Sequence, residues 1–507
     1  MFLGNHHRDT ENTKLAQRRM PYLDLMRKQI ELQDYEPVIP SPRQRRASIL
    51  EPSEEASPVR PLEISRPVAD SIRSQSLAST PISNTTLRVV DAPEPTESPA
   101  IKGELLKRGH SLTYLGVFTF TFLVYLRPYE LFPSLAWLSR SALVVAVLTL
   151  AIFIPTQLGL ENRISARLRE VKLAVALLIT GLLSIPLALE PARAFQSLVE
   201  FSKVIVIFIV MVNVVRTEKR LLRLLLLVLF VGCLLSLSAL SDYVHGNLAM
   251  RGQRIAGLIG GLFSNPNDLA LHVVTMIPIS VALLLGSRGL LRKSVYLGAS
   301  LLLAVGLVAT FSRAGFIGFV CVVVFLVWKL AGRNRAIFAA AALTVLLLGL
   351  MLAPGEYRDR LTTTGDDSAL ARSDDLKRSL LIAARHPLFG VGMDNYILYS
   401  NTAHATHNSY TQVAAEMGLI AFVCYLGFLL SPFKGLRRLE QATRKLGQKP
   451  RSHYLAIGLQ ASLVGYLVVS FFASVAFVWY AYYLVAYAIC LQRLNFADST
   501  LKLQPER

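Results

Sequence analysis

Cysteine is scarce in this chain: 507 residues contain only Cys233, Cys321, Cys424 and Cys490. Each falls inside an apolar run without metal-ligand spacing or an exposed partner. They read as small hydrophobes in a helical bundle, which excludes a disulfide scaffold or a zinc module. No His-x-x-x-His or Asp-x-Asp cluster stands in the segments assigned below to the outer face, so no metal site is expected there, and no cofactor. Paired carboxylates of glycosidase character are missing as well. Acidic residues are few beside basic ones, 34 against 53, giving a net charge of +19. On a soluble protein that balance would point to nucleic acid. No binding motif or aromatic platform accompanies it here, so nucleic acid is not an expected partner. The basic residues lie in the N-terminal tail and between apolar runs, where topology and anionic membrane lipids account for them. Met1 is not followed by the basic, apolar, small-residue order of a cleaved signal peptide.

Apolar residues are abundant: they make up 53% of the chain, above the roughly 45–50% of soluble domains. The excess is uneven. Residues 1–110, including IPSPRQRRASILEPSEEASPVRPLEISRP, are too polar to bury a core and read as a disordered cytoplasmic tail, open to a cytoplasmic partner. Within it, residues 14–35 place Leu15, Leu23, Met26 and Ile30 at near-helical spacing, interrupted by Pro21. Twelve apolar runs follow, at about 111–126, 137–156, 171–188, 201–215, 221–240, 267–286, 294–311, 314–331, 335–353, 410–432, 454–473 and 475–491. Each approaches the roughly 20 residues that cross a bilayer as a helix. The expected fold is therefore an all-α polytopic membrane bundle. Its parts are spans one to nine (111–353), an outer loop with short helices (354–409), spans ten to twelve (410–491) and a C-terminal tail (492–507).

Loop charge orients the bundle. With the tail inside, the inner loops carry 21 Lys and Arg residues, while the short outer loops hold five: Arg127, Arg193, Arg251, Arg254 and Arg313. The imbalance predicts a multi-pass membrane protein with both termini cytoplasmic. It also places the long loop, 354–409, outside. Within that loop SDDLKRSLLIAARHP predicts a helix with Ser373 as N-cap and with Leu376, Leu380 and Ala383 on one face; Pro387 ends it. Gly390 and Gly392 then suit a tight turn.

The outer polar residues have bland readings one by one. Arg313 can cap helix carbonyls or snorkel, Arg251 can be solvated, His407 can be a bonded structural histidine, and Glu416 reads as structural. Together they read differently. A guanidinium grips phosphate oxygens bidentately and keeps its charge, and an imidazole accepts a proton near neutral pH. The set suits a lipid-linked diphosphate leaving group and a hydroxyl nucleophile. Asn265 and Asn267 can cap the sixth span, and Gly257, Gly260 and Gly261 allow close approach of a ligand.

RIAGLIGGLFSNPNDLA, FSRAG, HPLFGVGMDNY and THNSYTQVAAEMGL occur in that order over residues 110–490. In these marks and in its topology the chain resembles the O-antigen ligase and polymerase superfamily of bacterial membrane glycosyltransferases. The resemblance implies a metal-independent transfer, or polymerisation, of a glycan from an undecaprenyl-diphosphate carrier onto a lipid or glycan acceptor hydroxyl, in lipopolysaccharide or exopolysaccharide assembly. It implies His407 as general base, with His404 the competing choice one turn earlier. It implies Arg254 and Arg313 as diphosphate holders, with Arg251 competing for the first place. Asn265, Asn267 and Asn408 join the expected substrate contacts. The alternatives are a solute transporter, which would show broken helices or ionisable groups at mid-bilayer, and a non-catalytic part of an export complex.

Overall fold

In the computed structural model, residues 99–162, 165–166, 168–246, 263, 265–331, 336, 340, 367–400, 405–446 and 449–501 are described. They form helices and connectors, with no strand among them. The principal helices are α1 (Pro99–Leu126), α2 (Ser141–Glu161), α3 (Arg169–Ser184), α4 (Pro191–Val214), α5 (Glu218–Val244), α6 (Pro266–Leu285), α7 (Leu290–Ala309), α8 (Arg313–Leu330), α9 (Asp367–Arg385), α10 (Ser409–Arg444), α11 (Arg451–Val469) and α12 (Trp479–Leu501). Ten among the described residues, α1–α8 with α10 and α11, are long and apolar enough to cross a membrane. The chain is an all-α polytopic membrane bundle. The expected ninth span, 335–353, lies outside the described residues apart from isolated positions, as does most of the tail. The fourth span starts earlier than its apolar run, because Pro191 occupies the first turn, where a missing N–H costs nothing.

Faces turned away from the bundle are apolar, as a hydrocarbon environment requires: Leu143, Val144, Val147 and Leu148 on α2 are all exposed. Trp137, 75% exposed in the turn before α2, fits the interfacial belt. Alternation of helix direction gathers the connectors 127–140, 185–190, 310–312 and 470–478, with the start of α10, at one end, hereafter the His407 end. At the opposite end Lys329 of α8 meets Glu440 of α10 at 2.7 Å with both side chains about nine-tenths buried. Gln460 of α11 also donates to Glu440, at 3.0 Å, so three helices share one satisfied charge pair.

The feature that shapes the His407 end is a break in α10. Gly418 leaves the helical region, at φ 86° and ψ 175°, a conformation essentially reserved to glycine. The carbonyls of Ala415 and Glu416 turn instead to the amides of Val391 and Gly392, at 3.0 and 2.9 Å, and the Leu419 amide donates to Pro387 at 2.7 Å. The PLFGVG segment thus pairs along the broken helix and satisfies main-chain groups that lipid cannot. A Cβ on Gly418 would lie 2.2 Å from the Leu388 carbonyl oxygen, and one on Gly390 2.4 Å from the Glu416 carbonyl carbon.

Two expectations for the outer helix need correction. It starts at Asp367, so Ser373 lies inside α9 and does not cap it; the preceding Ala- and Leu-containing run extends the helix. Leu380 is 53% exposed, while the inward face carries Asp375, Ser379, Ile382 and Ala383. Polar residues turn inward there because the buried Tyr396 hydroxyl donates to the Asp375 carbonyl and carboxylate, at 3.0 and 3.3 Å.

Gly418→Ala should lower stability by at least about 2 kcal/mol, read as a lower melting temperature in detergent. Gly427→Ala is the control: its Cβ meets only ordinary contacts, the nearest at 3.5 Å. Equal melting of the two variants would show that the break does not depend on glycine.

Candidate functional site

Three helices open at the His407 end with side-chain caps. The Asn265 Oδ1 accepts the Asn267 amide at 2.9 Å and caps α6. The Ser312 Oγ accepts the Gly315 amide at 3.2 Å and caps α8, and it donates to the Asn267 Oδ1 at 2.9 Å. The Asn408 Oδ1 accepts the amides of Tyr410 and Thr411, at 2.9 and 3.1 Å, and caps α10. Capping satisfies donors that the first turn leaves without partners. It also leaves three helix starts, each with a partial positive charge, at the His407 end of the bundle. Arg313, the first residue of α8, adds a half-buried guanidinium there.

The connector between α11 and α12 joins these ends. Gly318 of α8 sits so close to Val469 that a Cβ on it would lie 2.3 Å from that side chain. One turn farther along, the Ala473 carbonyl accepts the Ser409 hydroxyl at 2.6 Å, and the Val475 amide donates to the same hydroxyl at 2.9 Å. Thr406 and Ser474 hydroxyls meet at 2.9 Å. The second turn of α8 and the His407 turn therefore both border the short strip 469–475. His407 itself is half-buried with φ at 50°, in the left-handed region that His tolerates better than most side chains.

Asn267 thus meets Ser312, the residue before Arg313, while Thr406 and Ser409, which flank His407 and Asn408, meet the 473–475 strip. The three asparagines use their carbonyl oxygens within the protein, as caps or as the acceptor for Ser312. Arg251, Arg254 and His404 lie outside the described residues. Phe263, at the end of the glycine-rich stretch, is fully buried, with ring centroids 5.1 Å from His272 and 6.1 Å from both Tyr125 and Tyr480.

Sequence reading missed the supporting contacts. The Asn395 Oδ1 accepts the Glu190 amide at 2.8 Å, and Arg193 reaches both Glu190, at 3.1 Å, and Asp394, at 3.5 Å. They pin the segment after Pro387 to the start of α4. Burial pushes the Asp394 carboxyl above its ordinary range, with Arg193 only partly offsetting that. Beside this segment lies a cleft of about 210 Å3, lined by Ser197, Glu200, Phe201, Met393, Phe477 and Trp479 among others. Glu200 is paired with Lys203 at 2.6 Å. Among the described residues, no group of three or more His, Cys, Asp or Glu side chains is placed to hold a metal ion.

Residues 298–426 match the family model described as O-antigen ligase. The matched stretch is similar to an O-antigen ligase domain. It runs from α7 past the break in α10, and it contains Arg313, the Pro387 segment, His407 and Asn408. A comparison with curated proteins finds no match.

A pH test follows from Asp394. A carboxyl whose folded value is raised contributes stability at low pH that is lost as pH rises through that value. Asp394→Asn, neutral throughout, should therefore gain thermal stability relative to wild type between about pH 4 and pH 7. A melting-temperature difference that stays flat across this range would show that Asp394 is not destabilised by burial.

Proposed function

We propose that this protein transfers or polymerises a glycan, taking it from an undecaprenyl-diphosphate carrier onto an acceptor hydroxyl at the His407 end, the outer face of the bacterial inner membrane. The supporting observation is that α8, which Arg313 opens, and the His407 turn both lie in the stretch that matches the O-antigen ligase family model and both border the 469–475 strip. In this reading His407 takes the proton of the acceptor hydroxyl. The acceptor oxygen then bonds to the anomeric carbon as that carbon's bond to the diphosphate breaks. Arg313, with Arg254 or Arg251, and the capped helix ends hold the diphosphate as charge develops on it. Preorganised positive charge lowers the barrier without reorganisation during the reaction, and the shared strip fixes distance and orientation. The cleft beside Trp479 offers aromatic and aliphatic surface to part of the carrier chain.

The break in α10 is the feature that would favour transport. Transporters use broken helices to expose main-chain groups to an ion at mid-bilayer. Here the Ala415 and Glu416 carbonyls accept amides of the Pro387 segment, which favours the enzyme.

Purified full-length protein, given undecaprenyl-diphosphate-linked glycan and candidate acceptors, should form product. His407→Ala should lose about 10²–10⁴-fold in kcat. Arg313→Ala should lose comparable activity, and Arg313→Lys, which keeps charge but not the bidentate fork, should recover only part of it. Full complementation of a deletion strain by both alanine variants would sink the enzyme reading.

A further inference from the structure

We propose that the half of α4 nearer the His407 end carries a sugar-binding rim. Gln196, Ser197, Glu200 and Lys203 face water rather than lipid there, and with Phe477 and Trp479 they hold a hydroxyl-rich unit of the carrier-linked glycan. The proposal deepens the glycan-transfer reading and rests on it for the identity of the ligand, though not for the exposure of the rim to water.

The helix α4 opens at Pro191 and is long and apolar enough to cross a membrane. Its polar residues are not scattered. Arg193, Gln196, Ser197, Glu200 and Lys203 recur at steps of three and four, which puts them along one flank of the helix. Gln196, Glu200 and Lys203 are exposed, and Arg193 and Ser197 are half-buried. Lys203 stands at the middle of α4, about 18 Å from Pro191. It pairs with Glu200 at 2.6 Å, yet the two side chains stay 43% and 65% exposed. The Lys329–Glu440 pair at the opposite end is enclosed by protein; this one is open. An open charge pair at such depth is costly against hydrocarbon, and ionisable groups inside a span face a watery cavity instead. The neighbouring flank is apolar, with Phe195 and Val199 exposed as a lipid-facing surface requires. Beyond Lys203 the polar flank stops, because the same side of the helix carries Ile207 and Met211, both buried. A transport path would have to continue past that point.

Ser197 and Glu200 also form the polar edge of the cleft beside Trp479. Across from them stand half-buried Phe477 and Trp479. Both rings are braced from behind: Phe477 packs on Phe201 with centroids 5.2 Å apart, and Trp479 on Phe120 at 5.3 Å. An aromatic wall facing a carboxylate suits a sugar ring. The wall takes the C–H face of the ring, and the Glu200 carboxylate accepts its hydroxyls while Lys203 donates to them. A hydrocarbon chain has no use for the carboxylate, and a diphosphate is repelled by it. The aliphatic side of the cleft, Val204, Met393 and Val478, remains for the carrier. Phe477 lies two residues past Val475 of the strip that holds Ser409, so the rim adjoins the His407 turn along the chain.

The first test needs no turnover. Full-length protein carrying Gln196→Cys, Lys203→Cys or Val199→Cys is placed in lipid nanodiscs, which leave both membrane faces open. Labelling by a charged, membrane-impermeant maleimide is then read at each site by peptide mass spectrometry. Gln196→Cys and Lys203→Cys should label at least about 10-fold faster than Val199→Cys, which lies at the same depth on the lipid-facing flank. Undecaprenyl-diphosphate-linked glycan from the producing cells should slow the label at Gln196→Cys about 3-fold or more, and undecaprenyl diphosphate without sugar should leave it unchanged. Where turnover is measurable, Glu200→Gln should raise KM for the carrier-linked glycan about 10-fold with kcat held within about 2-fold. If Lys203→Cys does not fold, Gln196→Cys decides alone. Labelling at Gln196→Cys as slow as at Val199→Cys would overturn the proposal, since the flank would then face lipid. Protection by neither ligand, or equal protection by the sugar-free carrier, would overturn it as well, as would a Glu200→Gln loss confined to kcat. Fast labelling and glycan protection in protein that forms no product would count against glycan transfer instead, and the rim would stand as a glycan-binding site.

Discussion

Main-chain groups inside a bilayer must find partners within the protein, and α10 is interrupted where that rule is strictest. An unsatisfied N–H or C=O in hydrocarbon costs several kcal/mol. The break at Gly418 frees groups on both of its sides, and the Pro387 segment takes them up at Ala415, Glu416 and Leu419. The 387–392 segment is for that reason not free to leave: lifting it would expose the same groups again. This one pairing makes a loop element part of the bundle, and the residues on either side of it inherit its rigidity. Asn395 on Glu190 and Ser409 on the 473–475 strip extend the hold to α4 and α12.

Electrostatics adds a direction to this rigid end. Three capped helix starts carry partial positive charge toward it, and Arg313 adds a full one. Asp268 lies in the first turn of α6, beside one of these starts. Arg127 is itself held by Glu130 at 2.6 Å. Arg193 is likewise committed, to Glu190 and Asp394. Of the arginines expected outside and described in the structure, Arg127 and Arg193 form ion pairs that fix connectors, and Arg313 opens α8.

Much of this was legible in the sequence, and the parts that were not have a common cause. The spans could be read because a helix crossing lipid must be apolar for about 20 residues. The caps at Asn265 and Asn408 sit next to the residues they serve, so local chemistry announces them. The break at Gly418 is different: it lies within an apolar run, and a lone glycine there looks the same whether the helix continues or stops. Only its partner, Pro387–Gly392, shows the difference, and that pairing is non-local. Leu380 was misassigned because apolar periodicity assumes that the inward face is apolar, whereas Tyr396 draws Asp375 inward. Glu416 reads as structural from the sequence, and its contact with the Pro387 segment runs through its backbone carbonyl, which carries no side-chain signature.

A continuous α10 would also have placed His407 at the end of a span, so the break calls for a physical reason. A 36-residue helix fixes the direction of its first turn by the packing of all the others. Interrupting it after the third turn uncouples the first piece from the long piece, which packs against α11 and α12 and reaches Glu440 at the opposite end. The short piece can then be aimed by local contacts: Ser409 at one end, Glu416 and the Pro387 segment at the other. In a transporter the same uncoupling leaves carbonyls facing an ion. In this bundle the adjacent Pro387 segment takes them up, so the break leaves the Ala415 and Glu416 carbonyls open to neither solvent nor lipid.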